Sequence, residues 1–300
     1  MQAGRHPWLW GMVGIALMFV IFFLVGLLIT VLLTREEGIT DGGAKIGVIA
    51  IEGVISSDLS EKTVRQLTKY GDDASINAIV LRIDSPGGGV APSQEIYEAV
   101  RRVRSSGKLV VASMGSVAAS GGYYVACVTD RIFANAGTLT GSIGVIVQLA
   151  NAEELLRKVG VEPTVITSGP FKDSGNPTRP LRPEERQVFQ ALVDDVYQQF
   201  IEAVAQGRNL PLDEVRQAAD GRIYTGRQAR DLRLIDDLGS LHDAVAYAAA
   251  AVGAVGKPKL VQEGKERLWW LRFLFESLSD AFVWTPFSKA EAVLQYRWLY

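Results

Sequence analysis

The sequence predicts an α/β fold built on a largely parallel sheet. Three observations predict it. Continuous apolar stretches of strand length alternate with segments of helical period, the signature of βαβ units whose sheet is buried on both faces. Three Gly-rich turns, "DSPGGG" (84–89), "SVAASGG" (116–122) and "TLTGSIG" (138–144), fall after or beside such stretches, where open α/β sheets hold their ligands. The 300 residues carry one cysteine and a net charge of −2, which gives no disulfide framework, no metal-ligand spacing and no nucleic-acid footprint.

The elements follow in order. No charged residue occurs from Pro7 to Thr34, and the apolar run 8–33 exceeds the ~20 residues that span a bilayer. It is longer than a cleaved signal peptide's apolar region and lacks a small-residue cleavage site. The expectation is a single-pass transmembrane anchor in contact with lipid over 8–33. Arg5 before it and "REE" after it orient residues 1–7 to the cytoplasm, with the body on the extracytoplasmic side of the cell membrane. Residues 34–44 read as a polar, Gly-rich linker. In the body, 45–262, strands are expected at 45–55, 76–84, 109–117, 131–135, 143–149 and 162–168. Helices are expected at 58–70, 92–106, 120–128, 152–159, 183–208, 211–219, 225–233 and 239–252. Cys127 lies in an apolar helical run and reads as a small buried hydrophobe.

Residues 263–300 form an aromatic tail with Trp269, Trp270, Trp284 and Trp298. In "RLWWLRFLFESLSDAFVW", positions 271, 274, 275, 278 and 282 make an apolar helical stripe. Such a helix packs on its own domain or a neighbouring subunit, or rests at a membrane interface.

The chemistry centres on "SVAASGGYYVACV" (116–128). A strand ending near Val117 and a helix beginning near Ser120 would set the serine among unpaired N–H groups, with small neighbours that admit a substrate backbone. A serine there is equally an N-cap. A nucleophile would need a base. The two histidines, His6 and His242, lie beyond the apolar run and at the start of a late helix, so a Ser-His-Asp triad is not expected. No G-x-S-x-G elbow, Walker loop or H-E-x-x-H occurs. The glycines of "DSPGGG" can present N–H groups to an oxyanion. Lys172, in "SGPFKDSGNPTRPL" (168–181), can act as a base where burial keeps it neutral. Ser142, in "TGSIG", is the candidate to orient its amine.

The stretches "IDSPGGG", "MGSVAASGGYYVA", "TLTGSIGVI", "SGPFKDSGNPTRPLRPEER" and "DGRIYTGRQARDLRLIDDLG" resemble, in order, those of the signal peptide peptidase A family, short form. That family consists of membrane-bound serine proteases of the Clp-protease/crotonase-like superfamily. The resemblance implies a crotonase-like (ClpP-like) fold of repeated ββα/βαβ units. It implies a Ser-Lys dyad of Ser120 and Lys172, an oxyanion hole from the N–H groups of Gly87 and Gly121, and Ser142 as the serine that contacts the lysine. It also implies a ring- or dome-like homo-oligomer in which serine and lysine can come from adjacent protomers, no cofactor, and remnant signal peptides or other apolar peptides as substrates. Two alternatives stand beside it: a membrane protease directed at one membrane protein, and a non-catalytic membrane scaffold.

Overall fold

The computed structural model describes residues 17–26 and 43–263 and the backbone of 295–297. The chain divides into two compact units, Met1–Gly42 and Gly43–Tyr300. In the first, residues 17–26 form helix α1, with every residue exposed. The expected single-pass anchor, with the body outside the cytoplasm, is overturned: no helix among the described residues is long and apolar enough to cross a membrane. The flanks of 8–33 lie outside the described residues.

The second unit is a mixed α/β domain with a mainly parallel sheet. Its strands are β1 (Lys45–Glu52), β2 (Ile76–Ser85), β4 (Leu109–Ala119), β5 (Arg131–Ala134), β6 (Leu139–Gly141), β7 (Ile223–Thr225), β8 (Asp237–Leu238) and β9 (Lys259–Val261). The order is β7-β6-β4-β2-β1-β9, with β5 paired to β4 and β8. All these pairs are parallel except β6–β7. A separate strand, β3 (Gly87–Gly89), pairs antiparallel with β10 (Gln295–Arg297). The helices are α2 (Ser57–Asp72), α3 (Val90–Ser105), α4 (Gly121–Cys127), α5 (Glu153–Lys158), α6 (Pro183–Arg208), α7 (Leu212–Ala218), α8 (Gly226–Asp231) and α9 (Leu241–Ala251).

Alternation along the central strands explains the layers. Ile49 and Ile51 of β1, Ile79, Leu81 and Ile83 of β2, and Val110, Ala112 and Met114 of β4 enter one core with the buried faces of α2, α3, α4 and α6. Ile46, Val48, Ala78, Val80 and Val111 face the other way, onto Ala244, Val245 and Ala248 of α9. Both faces are covered, which is why these strands are continuously apolar. Cys127 is fully buried, and burial pushes its thiol up to about 12.

Every expected body helix forms, with ends within two residues of expectation. Two expected strands do not. Residues 143–149 contain no named strand, and the pairing segment is the shorter Leu139–Gly141 before them. Residues 162–168 are irregular and exposed, with Ile166 93% accessible. The expected tail helix lies outside the described residues; the one described piece, 295–297, is a strand.

Candidate active site

The site forms where β4 gives way to α4. Ser120 joins them at φ +54° and ψ −118°, a backbone conformation that costs an L residue about 1–3 kcal/mol. The surroundings enforce it. The Ser120 N–H donates to Gly141 C=O (2.8 Å), and its own C=O accepts from the Tyr124 N–H (2.8 Å). Ser120 occupies the N-cap position, yet its hydroxyl makes no capping hydrogen bond. The capping role left open by sequence is not realised. The residue is 1% exposed and lines a cavity of about 490 Å³ with Ser142, Ile143, Val145, Ile146, Val193 and Tyr197. Only glycine fits after it, because a Cβ on Gly121 would lie 2.5 Å from Ser93 Oγ.

Gly87–Gly89 runs beside this turn. Ile55 takes one edge of the strand: its N–H donates to Gly87 C=O (2.9 Å) and its C=O accepts from Gly89 N–H (2.9 Å). Gly88 therefore turns its N–H and C=O to the opposite edge, where Tyr296 lies across from it in β10. The Gly87 N–H donates to Ser85 Oγ (3.1 Å), and Gly87 turns the chain at φ +99°. A Cβ on Gly121 would lie 3.3 Å from Gly88 N and from Gly87 Cα, so the glycine strand packs closely on the start of α4.

Ser142 reaches the cavity through sheet register. β6 pairs with β4 so that Gly141 faces Ala119, which sets Ser142 beside the serine turn. It too has a positive φ, +49°, fixed by its N–H donating to Arg222 C=O (2.8 Å). Sequence reasoning missed the wall that Ala219, Asp220 and Gly221 add to this cavity. It is brought there by the antiparallel β6–β7 pair, too short to show a period.

Lys172 lies elsewhere. It sits in an irregular loop, exposed, and does not line the cavity. Its ammonium has no hydrogen-bond or ion-pair partner among the described residues. Its N–H donates to Gly169 C=O (3.2 Å). The loop is tied by charge. Arg179 donates to Asp173 Oδ2 (2.9 Å) and Glu185 Oε2 (2.9 Å), and Arg182 to Glu185 Oε1 (2.5 Å). The Arg179 guanidinium, with Arg182 beside it, holds the Glu185 carboxyl far below the usual carboxylate range. Within one chain, the structure thus brings Ser120, Gly121, the glycine strand and Ser142 together and leaves Lys172 outside.

A hydroxyl held at a strained strand-to-helix turn, beside clustered glycine N–H groups in an α/β fold, has the architecture of a serine hydrolase. Comparison with known proteins narrows the class. The profile of peptidase family S49 matches residues 102–254, and that of Clp protease matches 39–139. The chain belongs to peptidase family S49 and is a serine peptidase. It is 48% identical over 209 residues to "Putative protease slr0021" of Synechocystis, covering 70% of this chain and 75% of that one. It is 36% identical over 224 residues to "Putative signal peptide peptidase SppA" of Enterococcus faecium, covering 71% and 64%. It is 34% identical over 223 residues to "Serine protease SPPA, chloroplastic" of Arabidopsis thaliana, covering 70% of this chain and 33% of that one.

Proposed function

We infer that residues 45–262 form a ClpP-like peptidase domain that cleaves extended apolar peptides, remnant signal peptides among them, by a Ser-Lys dyad. The observation that carries this is Ser120: a strained, buried serine whose hydroxyl caps nothing and opens onto a largely apolar cavity. Ser120 Oγ attacks the scissile carbonyl carbon as neutral Lys172 Nζ takes its proton. Backbone N–H groups receive the oxyanion. Gly121 supplies one and the glycine strand the other. In this conformation the Gly87 N–H is taken by Ser85 Oγ and Gly88 faces β10, so the strand's donor is presented to an oxyanion when that edge is vacated. The C–N bond breaks as the amine takes the proton from Lys172, leaving an acyl ester on Ser120. Water then attacks the ester carbonyl and gives its proton to Lys172, which passes it to Ser120 Oγ as the C–Oγ bond breaks and the acid leaves. Ser142 orients the lysine amine.

A peptide fits the edge of Gly87–Gly89 that faces away from Ile55, since an extended segment, β10, pairs there. The exposure of Lys172 supports a homo-oligomer in which one protomer's lysine serves its neighbour's serine. Val165, Ile166 and Phe171, exposed around it, suit such an interface. The test is an assay of wild type, Ser120→Ala and Lys172→Ala on a labelled apolar signal peptide. Each variant loses about a thousandfold or more in kcat, and mixing the two restores part of the activity. Full activity in Lys172→Ala overturns the dyad; no recovery on mixing overturns the shared site.

A further inference from the structure

Lys172 sits in no helix or strand, yet the loop is fixed on both sides of it by two arginines that meet on one carboxylate. Before the lysine, Arg182 Nη2 donates to Pro170 C=O. After it, Arg179 Nε donates to Asp173 Oδ2 (2.9 Å) and Arg179 Nη2 to Asp173 C=O (3.2 Å). Both guanidiniums also end on Glu185. Arg179 reaches Oε2 (2.9 Å) and Oε1 (2.5 Å), and Arg182 reaches Oε1 (2.5 Å). Ser174 Oγ, two residues past the lysine, donates to Glu185 Oε1 (3.3 Å). Glu185 is fixed in turn. It is wholly buried, it lies in the first turn of α6, and its Oε2 accepts the backbone N–H of Arg182 (3.0 Å).

We propose that Glu185 is the positioning residue for Lys172, coupling the start of helix α6 to the loop that presents the base. This rests on the reading of Lys172 as general base. Three features favour it over a purely structural ion pair. A charge cluster around one buried carboxylate is a poor source of stability, since well-packed apolar residues often serve as well; what it gives is a fixed geometry. A guanidinium is a planar fork with five donors, so each arginine can hold the carboxylate and a loop backbone group at once. The backbone groups held are those of residues 170 and 173, immediately around the lysine. Glu185 touches no reacting atom and acts through the loop alone.

The test uses the full chain carrying Glu185→Gln, which keeps the side chain's shape and removes its charge. The expected result is a kcat about tenfold or more below wild type with KM within about threefold. Trypsin supplies a readout independent of activity. Arg179 and Arg182 each precede proline, so within 170–183 trypsin reports on the Lys172–Asp173 bond. In a Ser120→Ala background, which prevents self-cleavage, Glu185→Gln is cut there about tenfold or more faster than Glu185 protein. Wild-type kcat in Glu185→Gln, or reduced kcat with unchanged cleavage after Lys172, overturns the proposal. Should Glu185→Gln lose its helical circular dichroism, Arg182→Ala replaces it, since it frees the Pro170 carbonyl while Arg179 still holds Glu185 and Asp173. A smaller loss of the same pattern supports the proposal, and wild-type kcat with wild-type cleavage overturns it. Full activity in Lys172→Ala would remove the base assignment instead, while the trypsin result would still decide whether Glu185 orders the loop.

Discussion

Ser120 is fixed by backbone hydrogen bonds across a sheet, whereas Lys172 is fixed by charged side chains on a loop. The serine is 1% exposed and takes its strained φ from Gly141 C=O and the Tyr124 N–H. Its position is a consequence of the β4–β6 register. The lysine is exposed, lies between residues with no regular structure, and depends on Arg179, Arg182 and Glu185. The difference teaches that one domain can fix its candidate residues by two routes. Backbone register resists single side-chain changes, because the ladder is made of groups every residue has. An ion cluster fails when one member is lost, because the wholly buried Glu185 carboxylate or the loop groups it holds then lose their partners. The two halves should therefore respond to different perturbations.

The sheet half breaks only when the backbone itself is pushed. A Cβ on Gly88 would run into the Ile55 carbonyl that closes the edge of β3. Gly88→Ala should displace the glycine strand, lower kcat/KM by about a hundredfold or more through the lost oxyanion donor, and destabilise the fold by about 1–3 kcal/mol. Thermal melting and steady-state kinetics measure both. Gly137→Ala, where a Cβ meets open space, is the control, expected within about 0.5 kcal/mol of wild type. A fully active Gly88→Ala would remove the glycine strand from the mechanism.

Ser142 tests how the halves meet. Its backbone belongs to the sheet side, through its N–H to Arg222 C=O, but its hydroxyl is assigned to the lysine. Ser142→Ala should lower kcat about 10- to 100-fold, the worth of a hydrogen bond to a charged group, with KM little changed. A loss as deep as that of Ser120→Ala would place Ser142 with the nucleophile; wild-type kcat would dissolve the link.

The same contrast governs what was legible in the sequence. β1, β2 and β4 announced themselves because burial on two faces demands continuous apolar residues. Ser120 and its glycines were legible from residue type and spacing. The expectation at 162–168 failed because it equated apolar with buried, and Val165 and Ile166 are exposed. Residues 143–149 are apolar because they line cavities rather than a ladder. β3, β6, β7 and β9 have three residues each, too few for any period. Glu185 was unreadable for another reason. In "RPEER" a glutamate looks like the solvated first turn of a helix, and only the fold of the preceding loop buries it.

Acid separates the halves without mutation. Glu185 is held far below the ordinary carboxylate range by Arg179 and Arg182. A depressed folded value means that the clamp is complete above the unfolded carboxylate value of about 4.3 and weakens only as pH falls below it. Hydrogen exchange in 169–182, corrected for intrinsic rate, should stay protected from pH 8 to about pH 5 and lose protection progressively as pH falls below about 4. Protection across β4 and β6 should persist further. Opening of both regions together would show one cooperative unit rather than two kinds of fixation.

The smallest expected effect concerns the edge of the glycine strand that β10 occupies. Residues 295–297 pair along it, antiparallel, with Tyr296 opposite Gly88. A peptide substrate reading the same backbone groups competes with that segment. The competition costs affinity only in proportion to the time the segment is seated, since apparent affinity scales with the binding-competent fraction. A chain ending at residue 263 should therefore show KM lowered by about two- to tenfold at unchanged kcat. The chemistry at Ser120 does not depend on the segment; only access to the edge does. A synthetic peptide spanning 290–300 should inhibit the shortened enzyme competitively and the Gly88→Ala variant far less. If the shortened chain keeps its KM and the peptide fails to compete, substrate lies elsewhere than on β3, and the sheet half would hold the nucleophile without also holding the peptide.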